Sequence, residues 1–178
     1  RFRNALVGPD SVVKLPDYTS KVDWEAEVAF VIGKQAKDVP ESDALSYIAG
    51  YMLLNDLSAR DMQFATPQWM PGKIFDGAAP CGPWLVTPDE AGAHDELAIR
   101  LTVNDEEMQN ATTADLIHSI PALVEYLSKL MTLEPGDIVS TGTPAGTGSG
   151  MKPRVWLKPG DEVVVESPTL GRLATTLA

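Results

Sequence analysis

The chain has 178 residues, 44% of them hydrophobic, with a formal net charge of -11 and a single cysteine, Cys81. That length and apolar content are enough for one packed domain and exclude disorder, while the acidic balance excludes a nucleic-acid footprint or an anionic membrane surface as the main partner. No apolar run approaches a membrane span, no signal-peptide pattern opens the chain, and a lone cysteine forms no internal disulfide, so a cytoplasmic location is expected.

In chain order, residues 1–21 read as loop and edge strand, with Gly8-Pro9-Asp10 as a turn. Residues 22–33, VDWEAEVAFVIG, read as a strand in which Trp24, Ala26, Val28, Phe30 and Ile32 share one face. Asp23, Glu25, Glu27, Ala29 and Val31 share the other. Two glutamates on one face of a strand that looks buried further along need compensation, since carboxylates about 4 Å apart repel by about 4 kcal/mol at an effective dielectric near 20. Either the acidic face is solvated on an edge strand, or a divalent cation is shared between them.

Ser42 as an N-cap and helical spacing of Ala44, Leu45, Ile48 and Ala49 predict a short helix over 43–50, followed by a short buried strand over 51–54. The prolines and glycines of 62–83 predict an irregular, ordered loop, then strands over 84–87 and 97–103 and a turn at Asn104-Asp105. The clearest helix lies within 113–130, divided so that Pro121 falls in the first turn of a second segment, with Leu123, Val124, Leu127 and Leu130 as its core stripe. A strand over 138–140 precedes the glycine-rich loop 141–150, and two or three short strands fill 155–173. EPGDIV and KPGDEVVV share a Pro-Gly-Asp turn before a strand, and no domain boundary interrupts 1–178. The expected class is α+β, mostly β.

Asp56 ends an apolar run and opens a polar turn, which makes it the natural third carboxylate beside Glu25 and Glu27. Three carboxylates form a hard oxygen site suited to Mg²⁺, Mn²⁺ or Ca²⁺, and three protein ligands leave open positions on an octahedral ion. The glycine-rich loop lacks a following Gly-Lys-Ser/Thr and does not read as a phosphate cradle. Cys81 has no basic neighbour to activate it.

Several blocks then occur together in one order: Asp23-x-Glu25-x-Glu27, Asn55-Asp56-x-Ser58-Ala59-Arg60-Asp61, Gly72-Lys73-x-Phe75-Asp76, Pro80-x-Gly82-Pro83, Val103-Asn104 with Gln109, and Gly136-Asp137-Ile138-x-x-Thr141-Gly142-Thr143-Pro144-x-Gly146. This series resembles the fumarylacetoacetate hydrolase family, in its acylpyruvase and fumarylpyruvate hydrolase-like branch. The resemblance implies a layered, mixed β-sheet roll with a few short helices, a homodimer, and a Mg²⁺ or Mn²⁺ held by Glu25, Glu27 and Asp56. It implies that Arg60, Gln63, Lys73 and Thr143 contact a small anionic 2-keto acid, with Lys73 as the catalytic cation beside the reacting carbonyl. The implied activity is hydrolysis of a C–C bond in 2,4-diketo acids of the acylpyruvate type. Oxaloacetate-type decarboxylation, 2-hydroxy-dienoate isomerisation, and a metal-binding domain without turnover are the alternatives. The family's His-Glu base is expected upstream of Arg1, in a lid this sequence does not contain; His94 and His118 do not match that motif.

Overall fold

The computed structural model describes residues 1–178. Its strands and helices are β1 (Leu6–Val7), β2 (Ser11–Val13), β3 (Val22–Asp23), β4 (Ala26–Ile32), β5 (Ile48–Asn55), β6 (Ser58–Ala59), α1 (Arg60–Gln63), β7 (Ala79–Val86), α2 (Pro88–Ala91), β8 (Ala98–Val103), β9 (Glu106–Thr112), α3 (Ile120–Leu130), β10 (Ile138–Ser140), β11 (Glu162–Ser167) and β12 (Gly171–Leu177). Two five-stranded sheets, ordered β1-β7-β5-β4-β10 and β2-β12-β11-β8-β9, carry most of the chain, and β3 pairs with β6 in a small separate ladder. Only β1/β7 and β2/β12 are parallel, so both sheets are mixed. The mostly-β class with a few short helices is as expected.

The two sheets bury one core between them. Val28, Phe30 and Ile32 of β4 meet Tyr51 and Leu53 of β5, Ile99 and Leu101 of β8, Val163 and Val165 of β11, and Leu173 of β12. The alternation read in 22–33 holds: Trp24, Ala26, Val28, Phe30 and Ile32 enter this core, whereas Ala29 packs with Met52 and Leu54 on the opposite face. That second face is acidic at its start and apolar further on. The β3/β6 ladder places Val22 opposite Ala59 and Asp23 opposite Ser58. It therefore brings the chain just before β4 beside the chain just after β5, where the Asp56 amide donates to the Glu25 carbonyl at 2.8 Å.

Several boundaries differ from the sequence reading. The helix expected over 43–50 is a 3₁₀ segment, Glu41–Tyr47, entered from Pro40 with no side-chain cap from Ser42. Its last expected turn is consumed by β5, because Ile48 to Gly50 pair with β4. Strand β7 starts at Ala79, within the stretch expected to be irregular. Pro83 is accommodated where the β5/β7 register shifts between Tyr51 and Leu53, since a bulge does not require its missing N–H. Residues 155–157 are not strand. The division of 113–130 is as predicted, with Ser119 capping α3 through the Ala122 amide and Pro121 in its first turn. Its stripe is shifted: Ile120 and Val124 are buried and Leu130 is 66% exposed. The two Pro-Gly-Asp turns are alike in structure, with Asp137 accepting from the Glu134 amide at 2.8 Å and Asp161 from the Lys158 amide at 2.9 Å.

Phe30 has no exposed surface. Phe30→Ala should lower the unfolding free energy by about 3–5 kcal/mol, whereas Leu130→Ala at the exposed end of α3 should change it by less than about 0.5 kcal/mol, both read by urea denaturation.

Candidate metal centre and active site

Glu25 lies in the break between β3 and β4, Glu27 is the second residue of β4, and Asp56 follows β5 directly. All three are buried, and one oxygen of each lies within 4.8 Å of the others. The cross-strand geometry of β4 and β5, together with the β3/β6 ladder, makes this cluster. The two glutamates are separately braced. Glu27 accepts from the Gly142 amide at 2.8 Å and from the Ser140 hydroxyl. Ser58 donates to Glu25 Oε2 at 3.2 Å, and the Asn55 carboxamide oxygen accepts the Glu25 amide at 3.1 Å.

Three clustered buried negative charges require cations. Lys73 Nζ lies 2.6 Å from both Glu25 Oε2 and Asp56 Oδ2. Gly72 makes this reach possible, because a Cβ there would stand 2.6 Å from the Ala59 carbonyl oxygen and the Gln63 amide nitrogen. The backbone is thus pressed onto the start of α1, and Lys73 follows into the cluster. The Arg1 guanidinium also pairs with Asp56. Burial pushes Lys73 below its ordinary value against the opposing pull of Glu25, and burial lowers Arg1 to about 10. Glu27 is raised by burial, and neither the Ser140 hydroxyl nor the Gly142 amide reverses the direction.

Arg60 is buried and multiply engaged. Its Nε donates to Asp23 Oδ2 at 2.8 Å, Nη2 lies 2.8 Å from both Asp23 Oδ2 and Glu25 Oε1, and Nη1 donates to Gln63 Oε1 at 2.9 Å. Asp23, wholly buried, also accepts the backbone amides of Gly148 at 2.7 Å and Ser149 at 3.1 Å. One carboxylate thereby ties the glycine-rich loop to the arginine that steadies Glu25. Sequence reasoning gave Asp23 no role of its own, although it stands first in the Asp23-x-Glu25-x-Glu27 block.

Thr143 sits in the turn that begins with the Gly142 amide on Glu27, and its hydroxyl oxygen accepts from Gln109 Nε2 at 2.8 Å. Lys73 thus bonds Glu25 and Asp56 directly, Glu27 lies within 4.8 Å of both through its ligand oxygen, Arg60 joins through Glu25, Gln63 through Arg60, and Thr143 through its turn. Neither histidine is hydrogen-bonded into this network, but His118 shares a cavity wall with Gly142 and Thr143. His94 faces Asp95 at 3.8 Å, and His118 is exposed at the wall of a cavity on the core face of β4, opposite the glutamates.

The donor set fits a hard divalent cation. All three ligand groups are carboxylates, and Asp56 Oδ1 is buried without a hydrogen bond, met only by the Arg1 guanidinium. The family description "Fumarylacetoacetate (FAA) hydrolase C-terminal" matches residues 1–178. The chain belongs to this family. Among family relatives, the mitochondrial oxaloacetate tautomerase fahd2 of Xenopus laevis is 43% identical over 176 residues, which cover 98% of this chain and 55% of that protein. The chain therefore spans little more than half the length of that relative. The structure of 5-carboxymethyl-2-hydroxymuconate delta-isomerase from Mycobacterium smegmatis superposes with a TM-score of 0.90 at 38% identity, over 98% of this chain and 66% of that one. The fumarylacetoacetate hydrolase of Exiguobacterium antarcticum gives a TM-score of 0.94 at 36% identity, over 98% of this chain and 63% of that one.

Glu25→Gln and Asp56→Asn should each weaken Mn²⁺ binding by at least about tenfold, measured by electron paramagnetic resonance of free Mn²⁺. Arg60→Ala leaves the wholly buried Asp23 without its cationic partner; it should cost about 3–5 kcal/mol of stability by urea denaturation.

Proposed function

We propose that the chain carries the metal-dependent site of an enzyme that enolises small 2-keto acids, with oxaloacetate-like dicarboxylates as the substrate class and Mg²⁺ or Mn²⁺ as the metal. The observation that carries this reading is Lys73, held 2.6 Å from two of the three clustered carboxylates. It places a half-buried proton carrier beside a site for a hard cation. The 43% identity to an oxaloacetate tautomerase and the fold shared with a muconate isomerase support the same reaction class.

In this reading Glu25, Glu27 and Asp56 hold the ion, which when bound supplies Lewis-acid stabilisation of enolate charge. Thr143 donates its hydroxyl proton to the substrate carboxylate. Lys73 moves the proton: in enol-to-keto conversion a proton leaves the enol oxygen and one is delivered to C3, with no water consumed and no C–C bond broken. Burial, which lowers the proton affinity of Lys73, makes the ammonium a better acid for that delivery. Arg60, with donors already on Asp23, Glu25 and Gln63, steadies the ligands and presents Gln63 toward substrate.

Hydrolysis of 2,4-diketo acids is the second reading, favoured by the match to the Exiguobacterium fumarylacetoacetate hydrolase. It needs a base to activate water; of the two histidines, His118 lines the cavity that Thr143 also lines, and His94 pairs with Asp95 outside it. A homodimeric assembly forms part of the proposal and is read by light scattering. For location, no helix is long and apolar enough to cross a membrane, and the Xenopus relative is named as mitochondrial.

The test monitors loss of the enol absorbance of oxaloacetate with Mg²⁺, Mn²⁺ or EDTA, beside pyruvate release from acetylpyruvate. Metal-dependent enol loss that falls at least about 100-fold in Lys73→Met, with Mn²⁺ still bound, supports the tautomerase reading. Enol loss indifferent to EDTA and to Glu25→Gln would overturn it, and EDTA-sensitive pyruvate release would put hydrolysis in its place.

A further inference from the structure

Gln109 is 2% exposed and sits on β9, remote in sequence from every residue assigned to the site. Its carboxamide oxygen accepts the Ala26 amide at 2.9 Å, and Ala26 is the residue between Glu25 and Glu27. Its Nε2 donates to the Thr143 hydroxyl oxygen at 2.8 Å and to the Pro144 carbonyl oxygen at 2.8 Å. The orientation of the amide is settled by its partners, because a backbone N–H only donates and a carbonyl only accepts. A reversed amide would face donor to donor at Ala26 and acceptor to acceptor at Pro144.

This fixed orientation has a chemical consequence at Thr143. With an N–H pointing at its oxygen, the hydroxyl is held as acceptor on the Gln109 side, and its own proton is free for an acceptor elsewhere. A substrate carboxylate is such an acceptor. The local backbone is built to hold this geometry. The β8/β9 register shifts between Leu101 and Thr102, so that Leu101 faces Gln109 while Thr102 faces Glu107, and the intervening Met108 bulges. Against that bulge lies Gly146, where a Cβ would stand 2.0 Å from the Met108 carbonyl oxygen, so the 141–146 turn closes directly onto β9.

We propose that Gln109 is a positioning residue that couples the metal-ligand strand to the 141–146 turn and sets the Thr143 hydroxyl as a donor to the substrate carboxylate. The inference rests on the reading of Thr143 as a substrate contact. It separates two tasks: Glu25, Glu27 and Asp56 bind the ion, and Gln109 governs how the anion beside it is received.

The test uses Mn²⁺ alone and then oxalate, a planar analogue of the pyruvate enolate, titrated calorimetrically onto the Mn²⁺-loaded protein. Gln109→Glu keeps the acceptor for Ala26 and removes the donors to Thr143 and Pro144. It should leave the Mn²⁺ Kd within about twofold, weaken oxalate about tenfold, and raise KM for oxaloacetate more than it lowers kcat. In a Thr143→Val background the same change should add no further loss of oxalate affinity. If Gln109→Glu lacks the wild-type circular dichroism spectrum, Gln109→Met is read in the same cycle. In either cycle, additive losses, or Mn²⁺ weakened as much as oxalate, overturn the inference and leave Gln109 as packing alone. Failure of the wild-type, Mn²⁺-loaded protein to bind oxalate overturns the keto-acid reading itself, and the inference with it.

Discussion

Mutual repulsion among Glu25, Glu27 and Asp56, three carboxylates removed from water and drawn within 4.8 Å of one another, is the constraint around which the rest of the molecule is arranged. Isolated, such a cluster would unfold or protonate, since burial penalises each charge and each charge penalises its neighbours. The structure answers with cations from three separate segments. Lys73 arrives from the loop before β7, Arg60 from the start of α1, and Arg1 from the beginning of the chain. A divalent ion concentrates in one centre the charge that these side chains spread over several. The same negative field that would hold it is therefore also what gathers Lys73 into the site.

The bracing groups show how the fold serves that cluster. Asp23 and Gln109 are both buried, both polar and both make bonds to the glycine-rich region: Asp23 to Gly148 and Ser149, Gln109 to Thr143 and Pro144. One fastens the far end of the loop to Arg60 and hence to Glu25. The other fastens the near end to the backbone between the two glutamates. Buried polar groups of this kind are costly when half satisfied, so each bond restricts the loop to one arrangement relative to the metal ligands. The loop carries no regular hydrogen-bonded ladder of its own, and these two side chains, with Glu27 on the Gly142 amide and Trp24 on the Gly146 carbonyl, stand in for one.

The relation to a tautomerase, an isomerase and a hydrolase at similar identity is intelligible in the same terms. On the proposed reading, each such reaction would pass through negative charge on a keto oxygen next to a carboxylate, which Lys73 and a hard cation held by Glu25, Glu27 and Asp56 would stabilise. The fate of the enolate depends on where protons and water are handled. The triad supplies the shared part of the chemistry.

Local pattern alone determined much of this protein. The alternation of 22–33 put both glutamates on one face and its apolar partners in the core, Pro121 divided 113–130 where α3 begins, and Asp56 was marked by its position at the end of an apolar run. These signals survive because side-chain direction in a strand and the fit of proline to a helix's first turn depend on near neighbours. Tertiary structure decided the rest. Ile48 and Gly50 left their helical spacing for strand β5 because pairing with Ile32 and Val31 of β4 gives their backbone ladder partners. Leu130 lost its place in the stripe because α3 ends beyond the surface it packs on. Arg60 turned to Asp23, and Gln109 to Thr143, across 37 and 34 residues of chain. No spacing rule reports such bonds, since they exist only where two sheets and a loop are closed over the same three charges.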